Sequence, residues 1–150
     1  MRLVIQRVTR ASVTIDGQLH SAIGKGLLVL VGVENGDTTA DVEWLAAKTA
    51  GLRIFDDVNG VMNLSVTDVD GDVLAVSQFT LTASTRKGNR PSYIRAAGHE
   101  LAVPLYEAYC NRMSQLTGKP VAKGVFGADM QVELVNDGPV TIIIDSRLKE

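Results

Sequence analysis

Short polar side chains set into apolar runs are the residues of this sequence whose types and spacing could do chemistry. The clearest set is "SQFTL", where Ser77, Gln78 and Thr80 follow the apolar run "VLAV". In a strand over 72–82, Ser77 and Phe79 share one face and Gln78 and Thr80 share the other. A hydroxyl there is either a nucleophile or an orienting group, and no His or Lys is assigned to activate Thr80. An edge strand with one polar face is the structural alternative, and it stays open.

Several common kinds of site have no counterpart in the sequence. It contains no G-x-x-x-x-G-K-[ST] phosphate loop, no G-x-G-x-x-G after a strand and no G-x-S-x-G nucleophile turn. His20 and His99 lie far in sequence from any cluster with metal-ligand spacing. Cys110 falls in the middle of a predicted helix, where a buried thiol is the expected role. The sequence therefore predicts neither a metal nor a cofactor.

A Gly-Pro dipeptide interrupts the β-rich stretch "VELVNDGPVTIII", residues 132–144. Proline cannot donate to a sheet ladder, so Pro139 either opens a strand after an Asp-Gly hairpin turn or has a more specific use. "GVFGADM", residues 124–130, places two glycines where a backbone can approach a ligand closely, or where a bulge separates two strands. The residues alone leave both pairs of alternatives open.

Charge is distributed unevenly along a chain whose formal net charge is −2. The segment 83–97 carries Arg86, Lys87, Arg90 and Arg95 and contains no acidic residue. Such a segment is either a solvated loop or a contact for a polyanion. The overall acidity excludes a general basic field, so DNA is not an expected partner.

Hydrophobic periodicity and turn signals give the order of elements that must position these segments. Strands are predicted over 2–9, 11–16, 26–34, the short "LRIF", 72–82, 121–126, 129–136 and 139–146, and helices over 39–50 and 99–117. The first helix has a threonine cap, an apolar stripe from Val42 to Thr49, and Gly51 as its stop. Pro104 either kinks the second helix or lies in its first turn.

The predicted fold class is α/β, with two packed, largely antiparallel or mixed β-sheets and two main helices on the outside. These elements form a barrel-like, three-layer single domain over residues 1–150. Aromatic residues make up only 5%, so aliphatic side chains must fill most of the core. No apolar run approaches the ~18 residues of a membrane helix. A single cysteine weakly favours a reducing compartment, and a cytoplasmic protein without a membrane partner is expected.

Three segments together resemble the D-aminoacyl-tRNA deacylase (D-tyrosyl-tRNA deacylase) family. They are "SQFTL" at 77–81, "NDGPVT" at 136–141 and "GVFGADM" at 124–130. The family usually carries SQFTL and N-x-G-P-x-T, and both match without departure. The resemblance runs from "MRLVIQRVTRASV" to the last predicted strand, so residues 1–150 are identified as a single D-aminoacyl-tRNA deacylase domain.

The resemblance implies a homodimeric hydrolase that cuts the ester between a D-amino acid and the 3′-terminal ribose of tRNA. It also implies removal of mischarged glycine, rejection of L-aminoacyl-tRNA and no cofactor. In the family the Gly-Pro peptide is cis and reaches into the partner subunit's active site. Its carbonyls hold the substrate's amino group and block an L side chain. By resemblance, Gly138-Pro139 is this chiral filter.

Residue roles follow from the same resemblance. Ser77, Gln78 and Thr80 are the expected catalytic residues, with backbone N–H groups around Gln78, Phe79 and Thr80 stabilising the oxyanion. Water attacks directly, assisted by the ribose 2′-OH, and no metal takes part. The expected substrate-binding residues are Phe79, Gly138, Pro139, Asn136, Thr141, Phe126, Met130 and Arg7, the last as a brace for the Gly-Pro segment. Arg86, Lys87, Arg90 and Arg95 are expected to meet acceptor-stem phosphates.

Two other functions remain compatible with the residues. One is a non-catalytic RNA-binding module in which 83–97 binds phosphate. Such modules often stack nucleic-acid bases on aromatic side chains. This sequence has only three Phe, three Tyr and one Trp, which gives that alternative little support. The other is a hydrolase of small esters with a Thr or Ser nucleophile, which passes through a covalent acyl intermediate.

Overall fold

A long first strand organises the main sheet of the computed structural model, which describes residues 1–150. The strands are β1 (Arg2–Ile15), β2 (Gln18–Ile23), β3 (Gly26–Gly32), β4 (Phe55–Asp56), β5 (Met62–Leu64), β6 (Asp72–Ser77), β7 (Ala122–Lys123) and β8 (Gln131–Asp145). The helices are α1 (Thr39–Gly51) and α2 (His99–Thr117), and a 3-10 turn covers Phe79–Thr82.

Strand β1 is hydrogen-bonded on both edges. One edge pairs antiparallel with β8 over almost its whole length. The other edge pairs antiparallel with β3 in its first half and with β2 in its second half. Beyond β3 the sheet continues through the parallel strands β6 and β7. Ser21 of β2 donates to the carbonyl of Lys123 in β7 at 2.9 Å, so the two ends of the sheet meet and it nearly closes.

The two faces of this curved sheet are buried in different ways. One face, which includes Leu3 and Val29, packs against α1 and α2 in a cluster of 22 buried residues. The opposite face, which includes Val8 and Leu28, lies inside the curve in a cluster of six. Because β3 contributes to both clusters, its side chains are buried on both faces, as its apolar sequence predicts. The predicted α/β, barrel-like class is confirmed, with sheets of six and two strands.

Both helices begin and end close to the predicted residues. In α1 the N-terminal Thr38 donates its amide N–H to the Asp41 carboxylate at 2.8 Å, and the predicted apolar stripe is buried. Helix α2 ends at Gly118, which takes the left-handed conformation with φ 72°. Pro104 lies inside α2, beyond its first turn, so the first-turn alternative is wrong. Neither helix combines the length and apolarity needed to cross a membrane.

The polar side chains on the buried face of α2 either form hydrogen bonds or remain uncharged. Tyr106 donates to the carbonyl of Ala75 at 2.9 Å, and Tyr109 donates to the Thr49 hydroxyl at 3.0 Å. Burial raises the pKa of both phenols. Burial also raises the pKa of the Cys110 thiol to about 11, so this thiol stays protonated at neutral pH. The predicted buried position of Cys110 is confirmed.

Several predicted strand boundaries are wrong, including the end of the predicted strand 26–34, where β3 stops at Gly32. Residues 2–9 and 11–16 form one strand, because a register shift near residue 9 bends β1 without ending it. Residues 129–136 and 139–146 are likewise one strand, β8. Strand β6 ends at residue 77, since the chain turns there. Only 122–123 of the predicted strand 121–126 pair, and "LRIF" contributes only its last residue, Phe55, to β4.

The close contact between β3 and β6 requires a residue without a side chain at Gly26. A Cβ added there would lie 1.9 Å from the backbone carbonyl oxygen of Asp72. This clash could be relieved only by moving the backbone of a paired strand. We expect Gly26→Ala to lower the free energy of unfolding by about 2 kcal/mol or more, measured by urea denaturation. Gly24→Ala is the matched control, because a Cβ at Gly24 would meet nothing within 4 Å. Equal midpoints for the two variants would contradict the prediction.

Candidate active site

A cleft of 580 Å³ opens at the carboxyl ends of the parallel strands β3 and β6. Its walls come from four stretches of the chain, and 11 of its 16 lining residues are hydrophobic. The lining residues are Val31, Val33, Val76, Ser77, Gln78, Phe79, Ala96, Ala97, His99, Ala102, Phe126, Gly127, Ala128, Asp129, Met130 and Val132. The cleft therefore brings together two of the segments that the sequence singles out, 77–81 and 124–130.

The first wall is the point where β6 ends and the chain turns. The amide N–H of Gln78 donates to the carbonyl of Val31 at 2.8 Å, and the 3-10 turn begins at the next residue. The predicted alternation of faces over 77–80 is therefore wrong, because the strand ends at Ser77 and residues 78–80 lie outside it. The Phe79 ring is 54% exposed and meets the Tyr93 ring edge-on, with centroids 5.0 Å apart.

The 3-10 turn leaves hydrogen-bond donors free at its start. The first residues of a helical turn have no partner for their N–H groups within it, and here these residues are Phe79 and Thr80. The third predicted donor, the Gln78 N–H, is already bonded to Val31, so that part of the predicted oxyanion site is wrong. The Gln78 side-chain amide donates to the Thr80 hydroxyl, and Thr80 does not itself line the cleft.

The second wall is a tight turn before β8. Gly127 has φ +79°, and the Met130 sulfur lies 2.5 Å from where a Cβ on Gly124 would be. The close approach that Gly124 allows is therefore to Met130 of the same segment. The Phe126 ring contacts the His99 ring edge-on at 5.1 Å between centroids and the Tyr106 ring at 5.9 Å.

Sequence reasoning missed His99 and Asp129 as cleft residues. His99 is the first residue of α2 and is brought to the cleft only by the packing of that helix, so no local spacing marks it. Asp129 lies in the segment 124–130, which resembles a motif of the family, so this segment is the signal that could have identified it as a cleft residue. No group of three or more His, Cys, Asp or Glu side chains in the structure is arranged to hold a metal ion.

The Gly-Pro segment is a bulge within β8 and not a hairpin. Residues on both sides of it, Val135 and Thr141, pair with the same strand, opposite Arg10 and Gln6 of β1. A hairpin would pair the two halves with each other, so that alternative is wrong. The Gly138-Pro139 peptide is cis, and Gly138 has φ +129°.

Two side chains hold the base of this bulge. Asn136 accepts the amide N–H of Val140 at 3.1 Å and donates to the Thr141 hydroxyl at 3.1 Å. Arg7, only 7% exposed, donates through Nε to the carbonyl of Asp137 at 3.0 Å. Arg7 also donates to the carbonyl of Ile54 at 2.8 Å, so the bulge is tied to the small sheet.

The bulge and the cleft lie towards opposite ends of β3. Val31, in the cleft, pairs with Ser77, whereas Arg7 pairs with Leu27 near the start of β3. Leu27 and Val31 are four residues apart, which is about 13 Å along β3. Gly138 and Pro139 are exposed and do not line the cleft of their own chain.

The four basic residues of 83–97 do not form one group. Arg86, Lys87 and Arg90 are exposed and form no ion pair or side-chain hydrogen bond in the structure. Arg95 instead donates to the carbonyl of Thr82 at 3.1 Å and lies 3.9 Å from the Glu34 carboxylate. Arg95 is thus the one member of the four with side-chain partners within the chain, although 47% of its side chain is exposed.

Comparison with known proteins agrees with this geometry. The family model described as D-Tyr-tRNA(Tyr) deacylase matches residues 4–145. Proteins named D-aminoacyl-tRNA deacylase from Parabacteroides distasonis and Porphyromonas gingivalis are 64% and 65% identical over 150 residues, covering all of both chains. A solved structure named "c-Myc DNA Unwinding Element Binding Protein" is 41% identical with a TM-score of 0.91, covering 97% of this chain and 98% of that one.

A second solved structure, described as "a probable eukaryotic D-amino acid tRNA deacylase", shares the fold at 16% identity with a TM-score of 0.82. It covers 95% of this chain and 97% of that one. The family match and the full-length relatives together identify the chain as a member of the D-Tyr-tRNA(Tyr) deacylase family.

Proposed function

We propose that this chain is a D-aminoacyl-tRNA deacylase that acts in the cytoplasm as a homodimer. It hydrolyses the ester of D-aminoacyl-tRNA and of mischarged glycyl-tRNA and releases free tRNA and the amino acid. The observation that carries the proposal is a cleft built from 76–79 and 126–130 in a chain 64% identical, over its full length, to a protein named D-aminoacyl-tRNA deacylase.

The second subunit supplies the Gly-Pro bulge to each cleft. The bulge is exposed, is braced by Arg7 and is absent from the lining of its own chain's cleft, which supports its use by another copy. Strand β8 also has an unpaired outer edge and carries the exposed side chains of Val135 and Ile143, so it can take part in a contact between subunits.

Backbone atoms suit the rejection of an enantiomer. L and D substrates have equal hydrophobicity, so a site must separate them by steric exclusion or by unpaired polar groups. The carbonyls of Gly138 and Pro139 hold the substrate's amino group and leave no space for an L side chain. Backbone has no rotamers that could yield to the wrong substrate. Glycine has no side chain to exclude, so glycyl-tRNA is accepted.

The chemical step is direct attack by water on the ester carbonyl. The substrate's ribose 2′-OH assists, the C–O bond to the 3′ oxygen breaks, and that oxygen leaves with a proton. The N–H groups of Phe79 and Thr80 stabilise the oxyanion, a contribution worth ~10²–10³ in rate per donor in known cases. Thr80 is an orienting group whose hydroxyl is held by Gln78, beside Ser77 at the cleft edge.

The remaining residues bind the tRNA end. Phe79, Phe126 and Met130 give apolar contact to the terminal adenosine, and Asn136 and Thr141 keep the bulge in shape. The acceptor-stem phosphates meet the free basic residues of 83–97, which gives binding that depends on salt and not on sequence.

The proposed reaction is tested by paired time courses on D-tyrosyl-tRNA and L-tyrosyl-tRNA with a chelator present. We expect rapid loss of the D-ester alone, because the filter excludes L side chains and no metal takes part. Cleavage of neither ester above the buffer rate would favour a nucleic-acid-binding module, the role given in the name of the 41% identical structure.

Thr80→Ala separates direct attack by water from a threonine nucleophile. We expect a partial loss of rate and no acyl-enzyme in single-turnover reactions quenched in acid, because Thr80 only orients. Thr67→Ala is the control, since Thr67 is exposed and makes no side-chain hydrogen bond. A trapped acyl group on the wild type, with nearly complete loss in Thr80→Ala, would establish the small-ester hydrolase instead.

Mixed dimers test whether the bulge acts across subunits. Gly138→Ala distorts the bulge, because a Cβ at φ +129° would lie 2.9 Å from Val140 Cγ2, and Ala128→Trp fills the cleft. Each homodimer is expected to be inactive. A heterodimer isolated through two different tags keeps one intact site and about half of the wild-type activity. An inactive heterodimer, with both variants folded by thermal melting, would show that the bulge serves its own chain.

A further inference from the structure

The end of the 3-10 turn is held by two arginines from distant parts of the chain. Arg2 donates through Nη1 to the carbonyl of Leu81 at 2.9 Å. Arg95 donates through Nη2 to the carbonyl of Thr82 at 3.1 Å and approaches that of Ala83 at 3.5 Å. Three successive carbonyls at the end of the turn therefore face a guanidinium group.

Each arginine also lies beside a carboxylate, Arg2 in hydrogen-bond contact with Asp145 and Arg95 at a longer distance from Glu34. Arg2 forms a paired contact with Asp145, with both Nε and Nη2 3.0 Å from Oδ2. Burial opposes ionisation of Asp145, yet hydrogen bonds from Arg147 and Arg2 hold its pKa below the usual value. Glu34, 3% exposed, pairs through Oε2 with Arg147 Nη1 at 3.0 Å, and its Oε1, which has no hydrogen-bond partner, lies 3.9 Å from Arg95 Nη1.

A four-residue turn needs such support. One turn of helix is not stable alone, because few hydrogen bonds offset the ordering of its backbone. Its last carbonyls carry partial negative charge, which a cation at that end stabilises. The same turn carries Phe79 and Thr80 at its start, so any tilt of the turn moves their N–H groups.

Arg95 also belongs to a segment that touches the site in two other places. Tyr93 packs edge-on against the Phe79 ring, and Ala96 and Ala97 line the cleft. The backbone of this segment bonds to the end of β3, with the Asn35 N–H donating to the Arg95 carbonyl at 2.9 Å. Arg95 is thus held at the junction of three cleft-forming segments.

We propose that Arg2 and Arg95 are positioning residues that fix the 3-10 turn, and that Arg95 is not a contact for tRNA phosphate. The kinetic part of this inference rests on the proposed deacylase function. Its structural part, the stability of the turn, does not.

The decisive variant is Arg95→Gln, studied by hydrogen–deuterium exchange and by kinetics in the full-length protein. Without substrate, we expect exchange in peptides covering 78–83 to rise about tenfold, because the turn loses two carbonyl contacts. With D-tyrosyl-tRNA at saturating enzyme, we expect the single-turnover rate to fall about tenfold or more. The Kd for uncharged tRNA and its salt dependence are expected to stay at wild-type values.

Three further variants separate positioning from general effects of losing a charge. Arg95→Lys should restore part of the rate, because an ammonium reaches one carbonyl but lacks the planar fork of arginine. Arg90→Gln should reduce the salt dependence of tRNA binding, since Arg90 is free. Arg112→Gln removes a surface ion pair with Glu43 and should change none of these readouts.

Arg2→Gln gives a second test of the turn, with thermal melting to check folding because Arg2 also pairs with Asp145. Wild-type exchange over 78–83 in the Arg95 variant would overturn the inference, as would a salt dependence reduced as in Arg90→Gln. Because exchange needs no substrate, a wild-type protein that failed to deacylate would overturn the proposed function and leave this result standing.

Discussion

The whole structure depends on the hydrogen bonding of β1 along both of its edges. Strand β8 occupies one edge, and β3 and β2 share the other, so the sheet must curve until β2 meets β7. This arrangement also fixes both ends of the bulge at 137–139, because the residues on either side of it are bound to the same strand. The bulge is therefore exposed without being loosely held.

Both candidate functional elements lie where a strand is interrupted or ends, and in both arginine binds backbone carbonyls that have left the ladder. Where β8 bulges, Arg7 binds the carbonyls of Asp137 and Ile54. Where β6 ends, Arg2 and Arg95 bind the carbonyls of the 3-10 turn. Carbonyls outside a ladder need donors, and guanidinium offers several in a rigid plane. Acidic residues beside each arginine balance the charge that is introduced.

The sequence predicts the regular parts of the fold well and the irregular parts poorly. The apolar run of β3, the stripe on α1 and both ends of α2 follow from local periodicity. The continuity of β8 through Gly138-Pro139 does not, because a proline in a β-rich run has the same local pattern in a hairpin and in a bulge. The turn after Ser77 cannot be predicted locally either. The polar and apolar residues of "SQFTL" alternate as they would in a strand, and the hydrogen bond from Gln78 to Val31 joins residues far apart in the sequence.

The basic segment 83–97 shows that charge composition alone does not identify which side chains are available to a ligand. Arg90 and Arg95 are five residues apart in a run without acids, and charge patterning treats them alike. They differ because Arg95 donates to the carbonyl of Thr82 and lies 3.9 Å from Glu34, a buried residue 61 positions away that follows β3. Arg147, at 3.0 Å, is the cation that pairs with the buried Glu34 carboxylate, and Arg95 is tied to the fold by its contacts with backbone carbonyls. Fewer of the four basic side chains are unpaired than the sequence suggests.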